Sequence, residues 1–381
     1  MEQDSRERTL FDEIGGIDAC HRLSATFYRR VAQDPVLKRF FSGSLRCATD
    51  ALTEFLGQVL GGPNGYSRTR PWLSLYEAHQ RFTLGQLERD SWLRNMIETL
   101  SDFEIDEPLR AALTEFFAQS STDLVNSPSL DQAIECPSES SDKPLLHRWS
   151  IERTMAALCH TLAEQDVAGA LALAESEIVR EYIKTDRAAY ANLLSVIGSV
   201  HNDTCLAYVA GHFKLDTTLA SEHHAGGRTP LHDAAAAGNL PFVELLLSHR
   251  ADPNAIDDAG HAPLYFAGNQ GGTAEVVHAI ARAGANVDAC DGVKRCTALH
   301  MAARRDNVAV GEALLDCGAN IEALDSKNES PLRRAVNCSQ PAIAALLLAR
   351  GANPHSIGSK GLTPLQAARG AAMRALMLRY V

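Results

Sequence analysis

The sequence has neither a long apolar run nor an excess of positive charge. No apolar stretch approaches the roughly 20 residues that a membrane-spanning helix requires. Lysine and arginine number 36 against 47 aspartates and glutamates, for a formal net charge of -11. We therefore expect no nucleic acid and no membrane among the partners, because either would require a basic face. The charged start MEQDSRERTLFDE contains no apolar signal core, which predicts a cytoplasmic protein.

Paired cysteines and phosphate-binding glycine loops are missing as well. The nine cysteines are scattered, without a CxxC motif or a Cys/His cluster of zinc-ligand spacing, so free thiols in a reducing compartment fit best. No GxGxxG or Walker motif occurs, and GGPNG at 61–65 follows a predicted helix instead of a strand. A βαβ nucleotide-binding fold is therefore not expected.

A repeat is the clearest feature of the C-terminal half. A motif of the type Thr-Pro-Leu-His begins at positions 229, 262, 297, 330 and 363, which gives intervals of 33, 35, 33 and 33 residues. A second motif, alanine followed by aspartate or asparagine, keeps step with it at 251, 285, 319 and 352. A fixed period of this length is typical of stacked structural repeats.

Each repeat has the composition of two short helices. Threonine caps and proline starts the first helix, small residues such as DAAAAG allow close helix approach, and a Leu-rich segment such as FVELLLSH forms the second. One unit cannot bury its own apolar face, so neighbouring units must stack. These motifs resemble the ankyrin repeat, and the resemblance implies about five units over residues 227–381 that bind a protein partner. His232 and His300 are expected to support their turns through backbone hydrogen bonds.

Two segments separate this array from the N-terminal domain at 1–126. Residues 127–146 are rich in serine, proline and acidic residues, which predicts a linker. Residues 147–226 predict a helical segment, which could contain a degenerate repeat around Leu194–Asp216 and could cap the N-terminal end of the stack.

The N-terminal domain predicts only helices. Apolar residues recur at helical spacing over 17–32, 45–60 and 85–100, and Pro108 starts a further helix. No segment has the alternation of a strand. Four helices of this length could form a simple bundle.

His79 is the residue that a simple bundle does not explain. It lies in the stretch WLSLYEAHQRFTLG, among apolar neighbours such as Phe82. A structural role is one interpretation, but burying an imidazole there is favourable if one ring nitrogen binds a metal. The side chains of Tyr28 and Trp92 would also need acceptors inside the domain, and a ligand on that metal could accept from both.

Residues 9–126 resemble a truncated globin of the second group, the short two-over-two variant of the globin fold. The segments that carry the resemblance are LFDEIGG at 10–16, FYRRVAQDPVLKRFF at 27–41, FLGQVLGGPNGYS at 55–67, HQRFTL at 79–84, ERDSWLRNM at 88–96 and DLVNSP at 123–128. The implied fold class is all-α: a two-over-two truncated globin, then a helical segment, then an ankyrin-repeat α-solenoid.

The resemblance implies heme b as the cofactor, with His79 as the proximal iron ligand. It places Tyr28 and Trp92 on the distal side, where each would donate a hydrogen bond worth about 1.5–3 kcal/mol to a ligand on the iron. The other heme-pocket residues that it implies are Phe41, Ala48, Leu52, Phe55, Tyr66, Phe82 and Met96.

Two departures from the family pattern concern the heme propionates. The loop after Tyr66 lacks the usual His-Pro pair, and Ala78 stands where the family commonly has a basic residue. Arg70 and Arg81 are the substitutes that the sequence offers for these contacts. His21, the other histidine of the domain, is interpreted as a structural or surface residue.

Three functions are compatible with this composition of domains. In the first, the globin binds a diatomic gas (O2, NO or CO), and the ankyrin array docks a partner protein according to the state of the heme. In the second, it is an NO dioxygenase or peroxidase that needs an external reductase, because no flavin or NAD module follows. In the third, heme binding is lost and the chain is a scaffold. Two distal donors would hold a ligand firmly, which favours sensing or redox chemistry over transport.

Overall fold

The computed structural model describes residues 9–41, 45–63, 84–122, 125, 143–359 and 361–380. Every regular element in these residues is helical, apart from one isolated bridge between Cys290 and Thr297, so the all-α prediction is confirmed. The chain divides into two compact units, Met1–Glu181 and Tyr182–Val381. Among the described helices, none combines the length and the apolar composition needed to cross a bilayer.

Five helices of the first unit correspond to the predicted N-terminal domain. Their bounds are α1 Leu10–Ile14, α2 Gly16–Val31, α3 Arg46–Val59, α4 Gln86–Ser101 and α5 Glu107–Thr122, with a short 3-10 turn at Lys38–Phe40. The predicted bounds differ from the observed ones by one residue at each end of α2, α3 and α4, and by one residue at the start of α5. Apolar periodicity located these helices well because it records which face of each helix is buried.

Local hydrogen bonds define where these helices begin. Thr9 and Asp12 cap each other's backbone at the start of α1, with Asp12 N–H to Thr9 Oγ1 at 3.3 Å and Thr9 N–H to the Asp12 carboxylate at 3.1 Å. Gly15 then adopts a left-handed conformation (φ 99°), which ends α1 and turns the chain into α2. Helix α4 begins after Gly85, whose N–H donates to the Glu88 carboxylate at 2.9 Å.

The helices pack as two pairs around one core. Helix α2 lies against α3, α4 lies against α5, and α2 also contacts α4. This is the arrangement that a two-over-two fold requires. The largest fully buried side chains of this core are Phe27, Phe116, Phe117, Leu23, Leu56, Leu60, Met96, Leu100 and Leu113.

Three further helices follow in the chain: α6 Lys143–Ala163, α7 Val167–Ala174 and α8 Glu177–Thr185. Helix α6 begins inside the stretch 127–146 that the sequence assigned to the linker, so that boundary lies too late. Pro144 explains the difference, because proline is tolerated in the first helical turn and does not end a helix there. Helix α6 contacts α3 and α5 and therefore packs with the first unit.

The second unit is a stack of helical pairs. It begins with α9 Arg187–Ser199 and α10 Asp203–Leu215. The pairs that follow are α11 Pro230–Ala237 with α12 Leu240–Ser248, α13 Pro263–Asn269 with α14 Ala274–Arg282, α15 Ala298–Arg305 with α16 Val308–Asp316, α17 Pro331–Asn337 with α18 Pro341–Ala349, and α19 Pro364–Ala367 with α20 Ala371–Met377. First helices contact first helices and second helices contact second helices along the whole series, starting from α9 and α10.

Small residues allow the first helices to approach closely. A Cβ atom added at Gly268 in α13 would lie 2.4 Å from the carbonyl oxygen of Ala298, which starts α15. Only glycine fits at that distance, which agrees with the small-residue stretch of the repeat motif.

The motif histidines hold successive repeats together. Nδ1 of His232 accepts from the Thr229 N–H at 3.0 Å, and Nε2 contacts the His261 carbonyl of the next repeat at 3.0 Å. His300 repeats this arrangement with the Thr297 N–H at 3.2 Å and the Glu329 carbonyl at 3.0 Å. These histidines support the turns, as the sequence predicted.

Two other residue types occupy the histidine position in later repeats. The Arg333 guanidinium donates to the Leu362 carbonyl at 2.8 Å, so it keeps the bond to the next repeat. Gln366 keeps the other bond, because its Oε1 accepts from the Thr363 N–H at 2.9 Å. Arginine thus replaces the histidine's bond to the next repeat, and glutamine replaces its bond to the threonine N–H.

The buried imidazole of His232 should make the stability of the repeat array depend on pH. Burial lowers its pKa from 6.5 to about 4, although the bond to the His261 carbonyl acts in the opposite direction. Between these values the unfolded imidazole takes up a proton and the folded one does not, so the stability of α11 should fall as the pH is lowered from 6.5 toward 4. Amide hydrogen exchange of residues 230–237, corrected for the intrinsic rate at each pH, measures this change.

His232→Gln is the matched control for that experiment, because Gln366 shows that glutamine can bond the turn. The variant should have a shallower dependence on pH over the same interval. Equal dependence in the two proteins would show that His232 is not the titrating group.

Candidate functional site

The buried ring of Phe27 brings the two predicted distal donors together. Its centroid lies 5.1 Å from that of Tyr28 and 5.1 Å from that of Trp92, and both pairs are edge-to-face. Phe27 itself is completely buried. Tyr28 on α2 and Trp92 on α4 therefore contact the same ring in the folded domain.

Other aromatic rings extend this contact in both directions. Tyr28 meets Phe41 edge-to-face at 5.6 Å, so Phe41, whose packing on a porphyrin stays a prediction, lies beside Tyr28. Trp92 meets Phe117 at 5.6 Å, on the side toward α5. Aromatic pairs of this geometry contribute about 0.5–1.5 kcal/mol each beyond the area they bury. The orientation of both donors is thus fixed by packing on rings.

The predicted pocket residues divide into an edge group and a core group. Tyr28, Phe41, Leu52 and Trp92 are partly buried and pack against the outside of the hydrophobic core, and Ala48 is likewise partly exposed. Phe55 and Met96 lie inside the core, with exposed fractions of 3% and 0%. Phe55 stacks on Phe116 with a centroid distance of 6.4 Å.

The edge group carries a hydrogen-bond donor that can serve a ligand. In the part of the chain that the structure describes, no residue accepts from the indole N–H of Trp92, which lies at the border of the core among apolar side chains. Such a donor gains a hydrogen bond when a ligand with an acceptor atom approaches.

The remaining predicted site residues fall outside the described segments. These are the proximal candidate His79 and the residues Tyr66, Arg70, Arg81 and Phe82. Their roles stay predictions. His21 is described, and it lies exposed on α2.

Asp34 is a buried residue of this region that sequence reasoning missed. One carboxylate oxygen accepts from the backbone N–H groups of Val36 and Leu37, at 2.8 and 3.0 Å. The other accepts from Ser91 Oγ at 2.6 Å and from Asn95 Nδ2 at 2.8 Å, both on α4. The carboxylate therefore ties the chain after α2 to the helix that carries Trp92.

The chemistry of this cluster keeps Asp34 ionised. Burial alone would raise the pKa of the carboxyl, but hydrogen bonds from Ser91, Asn95 and two backbone amides outweigh burial and lower the pKa to about 2. The sequence carries two signals for the cluster. Asp-Pro at 34–35 is a turn motif, and Ser91 and Asn95 share one face of α4 at a spacing of four residues.

The ankyrin unit presents a repeated apolar position to solvent. Ile256, Leu324 and Ile357 each lie four residues after the Asp or Asn of the second motif, and their exposed fractions are 60%, 48% and 67%. Cys290, also exposed, holds this position in the second repeat. Single exposed apolar residues are common on protein surfaces, but a series at one repeat position favours a partner-binding surface.

Comparison with known families separates the chain into the same two parts. The family model of bacterial-like globins matches residues 9–126. The family model of three ankyrin repeat copies matches residues 264–358, and the model of a single ankyrin repeat matches residues 226–258.

Individual relatives match one part or the other. The N-terminal part is 29% identical over 104 residues to a group 1 truncated hemoglobin of Tetrahymena pyriformis, covering 27% of this chain and 83% of the relative. It is also similar to two-on-two hemoglobin-3 of Arabidopsis thaliana, at 31% identity over 137 residues, 34% of this chain and 77% of the relative. The transient receptor potential channel pyrexia of Drosophila melanogaster is 32% identical over 141 residues, which are 37% of this chain but only 14% of the channel.

The role of Phe27 can be tested by truncation. Phe27→Ala should lower the free energy of unfolding of the first unit by about 3–5 kcal/mol, because it leaves a cavity beneath two aromatic rings. Denaturant unfolding followed by tryptophan fluorescence measures this unit alone, since all three tryptophans lie before residue 182. Phe103→Ala, at a partly buried position of the same core, should cost clearly less. Equal losses for the two variants would contradict the central role of Phe27.

Proposed function

Because this chain belongs to the truncated, bacterial-like globins and carries ankyrin repeats after its globin domain, we propose that it binds a diatomic gas at heme and docks a partner protein through the repeats. The observation that carries the proposal is the joint contact of Tyr28 and Trp92 with the buried Phe27. Two hydrogen-bond donors from different helices thereby lie together at the edge of an apolar core.

The described residues fit one face of heme b. A porphyrin needs an apolar border of aromatic and aliphatic side chains, and Phe41, Ala48 and Leu52 provide partly exposed groups of this kind. The indole N–H of Trp92, without an acceptor among the described residues, supplies the polar group that such an apolar site requires. His79 would hold the iron, and Arg70 and Arg81 would contact the propionates.

Heme, when bound, supplies an iron atom that takes up O2, NO or CO. The protein's own residues then determine how long the gas stays. Trp92, and Tyr28 through its hydroxyl, would donate hydrogen bonds to the gas, each contributing about 1.5–3 kcal/mol if the acceptor carries charge. Phe27 contacts both donors and is completely buried, so the ring that they share has a fixed place in the core. This firm retention supports sensing or scavenging over bulk transport.

The assignment to the second group of truncated globins is also part of this proposal. It rests on Trp92, the residue by which the sequence resembles that group. The relatives described above are a group 1 protein and a two-on-two hemoglobin.

The repeats supply the surface for a protein partner. The exposed series Ile256, Leu324 and Ile357 offers apolar contacts at one position of successive repeats. An NO dioxygenase or peroxidase function is the alternative for the globin, and it would require an external reductase. Consumption of NO that depends on an added reductase would distinguish it from gas sensing.

The proximal assignment gives the test of the proposed function. His79→Ala should weaken heme binding by at least tenfold, about 1.4 kcal/mol, because the iron loses its protein ligand. Titration of the purified full chain with heme, followed by the Soret absorption band, measures the affinity. His21→Ala is the matched control. His21 is exposed on α2, so the variant should bind heme as the unaltered protein does. Full heme affinity in His79→Ala would refute the ligand assignment, and no Soret band in the unaltered protein would refute the function.

A further inference from the structure

We propose that Asp34 is a positioning residue, which holds Trp92 at a fixed distance and orientation from Tyr28. The consequence for a bound gas rests on the proposed function, but the positioning itself does not. Asp34 touches neither donor. It acts through two residues of α4. Ser91 directly precedes Trp92, and Asn95 follows it by three residues.

Asp34 belongs to a segment that is anchored to Tyr28 at both ends. At the start, the Ala32 N–H donates to the Tyr28 carbonyl at 3.0 Å, and the Asp34 N–H donates to the Arg30 carbonyl at 3.1 Å. At the far end, the ring of Phe41 contacts the ring of Tyr28 at 5.6 Å. Whatever Asp34 binds is therefore held in a fixed relation to Tyr28.

The binding of α4 by Asp34 requires a carboxylate. Four hydrogen-bond donors point at its two oxygens, two from the backbone and two from α4, and the exposed guanidinium of Arg94 on α4 lies 3.7 Å from one of them. An asparagine has one acceptor oxygen, and its NH2 group would face donors on one side. Ser91 and Asn95 are 1% and 8% exposed, so water has little access to replace the lost acceptor. Asp34→Asn thus breaks the bonds on one side of the cluster, either to α4 or to the backbone amides that fix Asp34 itself, and both losses weaken the link between this segment and α4 with almost no change of volume.

A second link between α2 and α4 lies on the surface and serves as a control. Arg30 pairs with Glu98 at 2.7 Å, and it also pairs with Asp102. The Glu98 and Asp102 side chains are 51% and 58% exposed, and ion pairs in such surroundings contribute little to the position of a helix. Arg30→Gln therefore breaks contacts between the same two helices without touching the buried carboxylate.

Fluorine NMR of the full chain labelled with 5-fluorotryptophan tests the positioning without heme. The Trp92 resonance is assigned by its loss in Trp92→Phe. In Asp34→Asn we expect it to shift or broaden and to show a larger solvent isotope effect between H2O and D2O, because the indole is no longer held against Phe27. Arg30→Gln should leave the resonance as in the unaltered protein. The isotope effect reports exposure, so a loss of stability alone would not change it in the folded state.

Two results would overturn the inference. One is an unchanged Trp92 resonance and isotope effect in Asp34→Asn. The other is an equal change in Arg30→Gln, which would make the effect a general loosening of α4. Ser91→Ala provides a second variant, which keeps the Asp34 carboxylate and removes one donor, and it should change the resonance in the same direction by a smaller amount.

The heme-loaded protein separates this inference from the proposed function. If both hold, CO should leave Asp34→Asn about tenfold faster than it leaves the unaltered protein, since one donor is misplaced. A changed Trp92 resonance with an unchanged release rate would support the positioning role and contradict the contact between Trp92 and the gas. Failure to take up heme at all would contradict the proposed function and leave the fluorine result decisive for Asp34.

Discussion

The contact of Phe27 with Tyr28 and Trp92 is the interaction on which the geometry of the globin domain depends. Phe27 and Tyr28 are consecutive residues of α2, so burying the first ring orients the second toward the edge of the core. Trp92 reaches the same ring from α4, and Phe117 holds its other side. A polar group at such an edge is costly to bury, because its surroundings are apolar. A ligand can reach it and accept its hydrogen bond, because the donor is partly exposed. The packing that stabilises the core therefore also determines where the two donors lie.

A buried carboxylate completes this arrangement from the polar side. Asp34 accepts two hydrogen bonds from α4 and two from the backbone that follows it, so it adds directed contacts to the apolar packing between α4 and the end of α2. The ankyrin unit uses the same principle in a periodic form. There His232, His300 and Arg333 each bond a carbonyl of the next repeat, while apolar stacking supplies most of the stability. In both units, hydrophobic burial provides the free energy and a few buried polar bonds select one register.

Much of this could be predicted from the sequence, and the reasons are local. The bounds of α2, α3 and α4 follow from apolar spacing, and the repeat period follows from motifs that recur within one chain. The distal roles of Tyr28 and Trp92 came from the resemblance, whereas their shared contact with Phe27 was not predicted, because Trp92 lies on a different helix. Asp34 was missed because its partners Ser91 and Asn95 stand 57 and 61 positions away. The start of α6 was placed too late because proline in a first helical turn and proline in a linker look alike.

The stretching frequency of carbon monoxide bound to the reduced, heme-loaded chain tests the central claim most directly. A hydrogen-bond donor that points at the bound gas lowers this frequency by polarising the C–O bond. We expect a low frequency in the unaltered protein, a rise in Tyr28→Phe and in Trp92→Phe, and a larger rise when both are replaced. One frequency shared by all four proteins would mean that neither donor reaches the gas, and it would contradict the account.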